Sequence, residues 1–378
     1  MKLRWDIFCT IVDNFGDVGF CWRLARQLVN EHGLKVRLLV DDLAIFSRIA
    51  PAIDVDEERQ WLEGVEIYYW QQTFARIKPA DVVIETFDCK LPDNYVLAMA
   101  DLPQQPVWIN LEYLSAEDWI LKCHCLPSFH PHFPLTKYFF FPGFVEGTGG
   151  LILEKDLLPT RIAFNNVSQE KFWQEIGIRS CREGELCISL FCYEDAPIKE
   201  LLSAWVTSDF PIRVLVPQHS IDSIIGSFFG VDLPKIGQIL QSGQLQVCII
   251  PFLEQDKYDQ LLWACDINFV RGEDSFIRAQ WAERPCVWNI YPQAEQSHRL
   301  KLEAFLNLYT KGMSSETSAA VFSLWSAWNG NGNIKNAWSI FAAQFSALTQ
   351  YGNKWIKQLS VTGDLASNLV KFSRKDQI

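Results

Sequence analysis

The sequence predicts an α/β protein made of two doubly wound domains in succession, closed by a helical tail. Three observations carry this. Short apolar runs of strand length alternate with stretches of helical period through residues 5–111, and again through residues 186–290. The chain has 378 residues, room for two domains or three. It is 49 % apolar and 21 % charged, a globular composition. The domains are expected over 1–153 and 184–350. Glu154–Glu183 reads as a connection between them. Helices of 351–378 are expected to return to the first domain.

The elements follow in order. Trp5–Val12 is an apolar run, hence the first strand. It breaks into Asp13-Asn14-Phe15-Gly16-Asp17-Val18-Gly19, whose two glycines and Asn are loop signals. From Phe20 to about Glu31 the residues Trp22, Leu24, Ala25, Leu28 and Val29 recur at helical spacing, with Gly33 placed as the C-cap. Lys35–Val40, Asp81–Glu85 and Pro106–Leu111 are further buried strands, with a helix over Asn94–Ala100. In the second half, Leu186–Cys192, Ile212–Pro217, Leu245–Phe252, Asp266–Val270 and Pro285–Ile290 read as strands. Pro197–Thr207, Gln255–Ala264 and Asp274–Ala282 read as the helices between them, and the pattern is helical from about Gln296 onward. Such βαβ alternation gives parallel sheets covered on both faces. Ligands of doubly wound domains bind at the carboxyl ends of the strands, so the expected site is a cleft between two facing sheets.

Lys and Arg number 34 against 45 Asp and Glu, a net charge of −11. That argues against nucleic-acid binding, which needs a basic face, and suits docking of a basic protein. The 15 Trp and 26 Phe supply large cores and stacking surfaces. Met1–Asp6 has no apolar leader, and no apolar run reaches the roughly 18 residues of a membrane span. The 11 Cys are then expected to be reduced thiols in a cytoplasmic protein with no membrane partner.

Three segments point to chemistry. Asp13 and Asp17 lie together at the end of the first strand. An acidic loop repels a pyrophosphate, so its functional reading is acid–base or orienting work on a cationic or hydroxyl acceptor. The alternative is one helix cap and one solvated carboxylate. Arg271-Gly272-Glu273-Asp274-Ser275 passes from a strand into a helix start. Free N–H groups there and the Arg271 guanidinium suit a diphosphate, whereas Glu273 suits sugar hydroxyls or developing positive charge. The alternative is a capped helix with an exposed ion pair. Phe191-Cys192-Tyr193 and Pro251-Phe252-Leu253-Glu254-Gln255 also follow strands. If those strands are neighbours, Phe191 and Phe252 sandwich a flat base and Gln255 reads ribose or base edges, with core packing as the alternative. Cys123-His124-Cys125 with His130 and His132 has the wrong spacing for a zinc site, and no metal is expected.

These motifs resemble a known family. Trp5–Cys9, Val12–Gly19, Cys21–Leu28, Leu114–Trp119, Cys123–Ser128, Phe139–Phe144, Thr148–Leu151, Phe269–Phe276 and Arg278–Trp281 look like the bacterial EarP family. The resemblance implies a GT-B glycosyltransferase fold with two facing Rossmann-like domains. It implies transfer of L-rhamnose from dTDP-β-L-rhamnose to an arginine of translation elongation factor P, with inversion and without a metal or other cofactor. That modification activates the factor for ribosomes stalled on proline runs. By the same resemblance Asp13 and Asp17 serve the acceptor arginine, and Glu273 joins the catalytic set. Asn14, Phe15, Gly16, Phe191, Tyr193, Phe252, Gln255, Tyr258, Arg271, Glu273, Asp274 and Ser275 bind the donor. Cys125 stands where the family pattern leads one to expect glycine, and Tyr258 where Phe also serves. Two other readings remain open: a nucleotide-sugar transferase or epimerase acting on a small molecule, and a non-catalytic nucleotide-sugar sensor.

Overall fold

The computed structural model describes residues 3–71, 77–87, 89–293 and 297–375. The described residues fall into two units, Met1–Lys155 with Gln358–Ile378, and Asp156–Lys357. Each is built on a parallel sheet whose central strands are the continuous apolar runs of the sequence.

In the first unit the described strands are β1 Arg4–Cys9, β2 Lys35–Val40, β3 Arg59–Leu62, β4 Val65–Tyr69, β5 Val82–Thr86, β6 Val107–Leu111, β7 Pro127–Phe129 and β8 Thr136–Phe140. Their order is β3-β4-β2-β1-β5-β6-β8-β7. All neighbours are parallel except β3 with β4 and β7 with β8 at the two edges. The chain reverses direction across the sheet between β1 and β5, the position where doubly wound sheets open a binding crevice. Phe8, Trp70 and Tyr95 meet edge-on on one sheet face, with centroids 5.3 and 4.8 Å apart, and each such buried ring contributes about 1.5–3 kcal/mol by leaving water. The closing helix Leu365–Lys375 is tied in place by Leu365 N–H on the Leu151 carbonyl, at 2.9 Å.

In the second unit the described strands are β9 Leu186–Leu190, β10 Ile212–Pro217, β11 Ile239–Ser242, β12 Leu245–Ile250, β13 Ile267–Arg271 and β14 Cys286–Asn289. The order is β11-β12-β10-β9-β13-β14, parallel throughout except for β11. Here the direction reverses between β9 and β13.

Several expectations need correction. The helix expected from Phe20 begins at Phe15 and runs to His32, so Gly16, Asp17 and Gly19 belong to its first turns. Gly33 does close it, with φ 63° and its N–H on the Leu28 and Val29 carbonyls. The stretch read as a connection contains the helices Leu157–Ala163 and Asn166–Glu175. The second is polar over most of its surface. Phe172 and Trp173 alone in it are buried, against Cys187, Leu215 and Leu261 of the second unit. The start expected near Gln296 lies outside the described residues, and a helix is seen over Ser297–Thr310. Cys125 adopts φ 63°, the left-handed region that favours glycine, at a strain of about 1 kcal/mol.

Candidate functional sites of the two units

In the first unit the acidic segment leaves β1 and enters the helix Phe15–His32. Asn14, the residue before the helix, has φ 33° and ψ −98°, and its side chain does not cap. Asp17 does the capping work from inside: its Oδ2 accepts the N–H of Val12 at 2.8 Å and of Asp13 at 2.7 Å. Asp41, at the end of β2, accepts the N–H of Ile11 at 3.0 Å. Three successive amides are therefore held by two carboxylates, and the loop has little freedom. Gly16 N–H bonds the Asp13 carbonyl at 2.7 Å. A Cβ on Gly16 would stand 2.6 Å from Asp13 Oδ2, so only glycine leaves room for that carboxylate.

Neither aspartate is the solvated surface acid of the bland alternative. Asp13 is 7 % and Asp17 3 % exposed. Burial pushes the Asp17 carboxyl above the usual carboxylate range. Its two amide bonds pull it down, and the Asp41 charge adds to the rise. Among the described residues no lysine or arginine forms an ion pair with Asp17, and a buried carboxylate without a counter-charge is costly. Phe15 carries the Arg48 guanidinium 5.4 Å above its ring.

In the second unit Arg271 closes β13 and is 5 % exposed. Its guanidinium lies 4.7 Å from the Phe191 ring and 4.6 Å from the Tyr193 ring, so the two aromatics that follow β9 hold it by cation–π contact. The strands that lead to Phe191 and Phe252 are not neighbours, because β10 lies between β9 and β12. The rings still meet edge-on at 6.3 Å, reaching across the end of β10. Tyr258 approaches Phe191 edge-on at 5.8 Å, and burial pushes its phenol pKa upward.

Gln255 and Asp274 each begin a helix, Gln255–Ala264 and Asp274–Trp281. Gln255 Nε2 donates to Asp274 Oδ2 at 3.3 Å. One turn further along both helices, Arg278 forms a two-pronged ion pair with Asp259, at 3.0 and 2.7 Å. These rungs set the two helix N-termini side by side. The Ser275 hydroxyl accepts the Arg271 N–H at 3.1 Å and donates to the Arg271 carbonyl. It shapes the turn. Glu273 stands half-buried just before the helix. The structure thus brings Phe191, Tyr193, Phe252, Gln255, Tyr258, Arg271 and Asp274 together, while Asp13, Asn14, Phe15, Gly16 and Asp17 form a separate cluster in the first unit.

Sequence reasoning missed four neighbours of these clusters: Asp41, His219, Asn289 and Tyr291. Asn289 accepts the Tyr193 N–H at 2.9 Å, and Tyr291 meets the Tyr193 ring edge-on at 5.6 Å. Their common signal was position, at or just past the carboxyl end of a parallel strand. The Cys123–His132 segment is occupied with structure: His124 Nδ1 accepts the Phe141 N–H at 3.0 Å, and His130 Nδ1 accepts from His132 and Phe133. Burial lowers His124 to a pKa of about 4.

Comparison with known proteins adds to this geometry. The family model described as Elongation-Factor P (EF-P) rhamnosyltransferase EarP matches residues 5–374. The chain is 46 % identical over 376 residues to a protein-arginine rhamnosyltransferase of Pseudomonas putida, spanning 99 % of each chain. It is 44 % identical over 370 residues to one of Pseudomonas aeruginosa, spanning 97 % of this chain and 98 % of the other. A solved structure concerning EarP-mediated arginine glycosylation of translation elongation factor EF-P superposes with a TM-score of 0.71 at 36 % identity, over 99 % of both chains. MurG of Acinetobacter baumannii, with a TM-score of 0.52 at 12 % identity, shares the fold alone.

Proposed function

Since the chain belongs to the EarP family, we propose that it is a protein-arginine rhamnosyltransferase that moves L-rhamnose from dTDP-β-L-rhamnose to an arginine of translation elongation factor P. The transfer inverts the anomeric centre, and the modified factor serves ribosomes stalled on proline runs. The protein works in the cytoplasm, without a metal or other cofactor.

The observation that carries the acceptor side is Asp17, a buried carboxylate with no ion-pairing cation of its own among the described residues. An arginine acceptor brings that cation. Its guanidinium has a pKa above about 12 and arrives charged, with its nitrogen lone pairs delocalised. Asp13 and Asp17 bind it, orient one nitrogen toward the sugar and take its proton as the C–N bond forms. A carboxyl raised by burial is the better base for this.

On the donor side dTDP leaves with charge growing on its diphosphate. Arg271 and the N–H groups that open the helix Asp274–Trp281 stabilise that charge. Glu273, nearer the sugar, offsets positive charge at the anomeric carbon. Phe252 and Phe191 stack the thymine, and Gln255 and Tyr258 bound the nucleoside. Asn14, Phe15 and Gly16 belong to the donor-binding set that the family resemblance implies. The test is fragmentation mass spectrometry of elongation factor P after incubation with the protein and dTDP-β-L-rhamnose, with the anomeric configuration of the product read by NMR. A deoxyhexose on one arginine, α-linked, is expected. Modification of another residue type, or a β-linkage, contradicts the proposal.

A further inference from the structure

His219 follows β10 and its ring is held from two sides. Nδ1 lies 2.6 Å from the Pro217 carbonyl oxygen, and Nε2 lies 3.3 Å from that of Cys192. A carbonyl oxygen accepts and cannot donate, so each contact calls for an N–H on the ring. A neutral imidazole has one such hydrogen and an imidazolium has two. With the shorter contact taken by Nδ1–H, a neutral ring would aim its Nε2 lone pair at the lone pairs of the Cys192 oxygen. The surroundings favour the cation as well. The ring centroid is 4.9 Å from that of Phe191, within cation–π range.

We propose that His219 is an imidazolium in the working protein and straps the Phe191–Tyr193 segment in place, so that donor binding loosens when His219 loses its proton. Cys192 lies between the two residues whose rings hold Arg271. A strap on its carbonyl therefore fixes both faces of the Arg271 cradle. His219 is a positioning residue: it acts through Phe191 and Tyr193.

The charged and titratable groups around it come from four elements. Asp222, in the first turn of the helix Asp222–Phe229, is 4 % exposed; its Oδ1 accepts the His219 backbone N–H at 3.3 Å, and its charge favours the imidazolium. Arg271, the last residue of β13, opposes it with its guanidinium 4.7 Å from the same Phe191 ring. Tyr258, on the helix Gln255–Ala264, and the Cys192 thiol, after β9, are both held in their neutral forms by burial. The strap is complete while the ring is charged and is lost as the pH rises and the ring gives up its second proton.

The donor arm of the test rests on the reading of the second unit as the dTDP-rhamnose site; the protonation state does not. The donor diphosphate is esterified at both ends and has no proton to lose in this range, so a pH dependence belongs to the protein. The full-length protein is labelled with ¹⁵N, and the His219 signals are assigned by their loss in His219→Gln, or in His219→Asn should the first variant not fold. Two protonated ring nitrogens at about pH 7 are expected. The dissociation constant of dTDP-rhamnose, read by calorimetry, should rise about ten-fold between about pH 6 and about pH 9 in the natural protein and stay level in the variant. A neutral His219 at neutral pH, or the same pH dependence in the variant, overturns the proposal. A donor that binds at no pH while His219 is doubly protonated overturns the donor reading and leaves the strap supported.

Discussion

Gly16→Ala adds one methyl group, and its consequence follows from one contact. The new Cβ would stand 2.6 Å from Asp13 Oδ2 and 3.2 Å from its Cγ, where ordinary contact begins at 3.4 Å. The Asp13 carboxylate must therefore retreat by roughly 0.8 Å. The methyl also favours the helix Phe15–His32, since alanine is the better helix former by about 1 kcal/mol. Crowding and propensity oppose each other, so the melting temperature should move by only a few degrees. Catalysis has no such compensation. A misplacement of about 1 Å in a positioning group costs on the order of 10²-fold. The assay is the initial rate of rhamnose transfer, with donor affinity measured in parallel by calorimetry. The expected result is a kcat lower by about 10²-fold, with dTDP affinity and melting temperature nearly unchanged. A kcat within about two-fold of the natural protein would refute the claim that the Asp13 position sets the rate.

Other expected outcomes concern single groups. Arg271→Ala should weaken dTDP binding by about ten-fold or more, since a charge-assisted contact is worth about 1.5–3 kcal/mol, whereas Glu273→Gln should lower turnover and keep dTDP affinity; calorimetry and initial rates separate the two, and unchanged dTDP binding in Arg271→Ala places the phosphate elsewhere. Asp17 must be deprotonated to act as a base, and burial raises its pKa, so kcat should fall on the acid side at a pH above the usual aspartate value of about 3.9; the same acid limb kept in Asp13→Asn, with turnover abolished in Asp17→Asn, identifies the base, and an acid limb lost in Asp13→Asn contradicts it. The same raised pKa means the folded state binds this proton more tightly than the unfolded chain. Its stabilising contribution is present below the unfolded pKa and lost as the pH rises through the folded one. Asp17→Asn should then melt no lower than the natural protein at neutral pH, and a large drop in melting temperature contradicts the assigned shift. Arg278→Ala leaves Asp259 buried without its cation and should cost about 3–5 kcal/mol by denaturant unfolding; a cost below about 1 kcal/mol would show that the lower rung does not hold the two helices.

The central strands were legible because each is a continuous apolar run buried on both faces, as in Val82–Thr86 and Ile267–Arg271. The antiparallel edge strands were not, nor were Val65–Tyr69 and Thr136–Phe140 beside them, which are only partly buried. Arg59–Leu62, Pro127–Phe129 and Ile239–Ser242 have only three or four residues, nearly all half-buried or exposed. The start of the first helix was hidden because glycine signals a loop, while Gly16 is helical here and is required by the Asp13 carboxylate beside it. The helix Asn166–Glu175 was read as connecting chain because its burial rests on two aromatic residues alone. Site residues carried in a motif, such as Arg271 to Ser275, could be named from their spacing. Asp41 and His219 could not, because their roles depend on amides and carbonyls contributed by other segments.

The central claim is arginine rhamnosylation with Asp17 as an acceptor-side base, and the intact mass of elongation factor P tests it most directly. The factor is incubated with dTDP-β-L-rhamnose and either the natural protein or Asp17→Asn, whose donor binding is checked first. The account predicts a gain of one deoxyhexose with the natural protein and none with the variant. No gain with the natural protein, or an equal gain with Asp17→Asn, would contradict it.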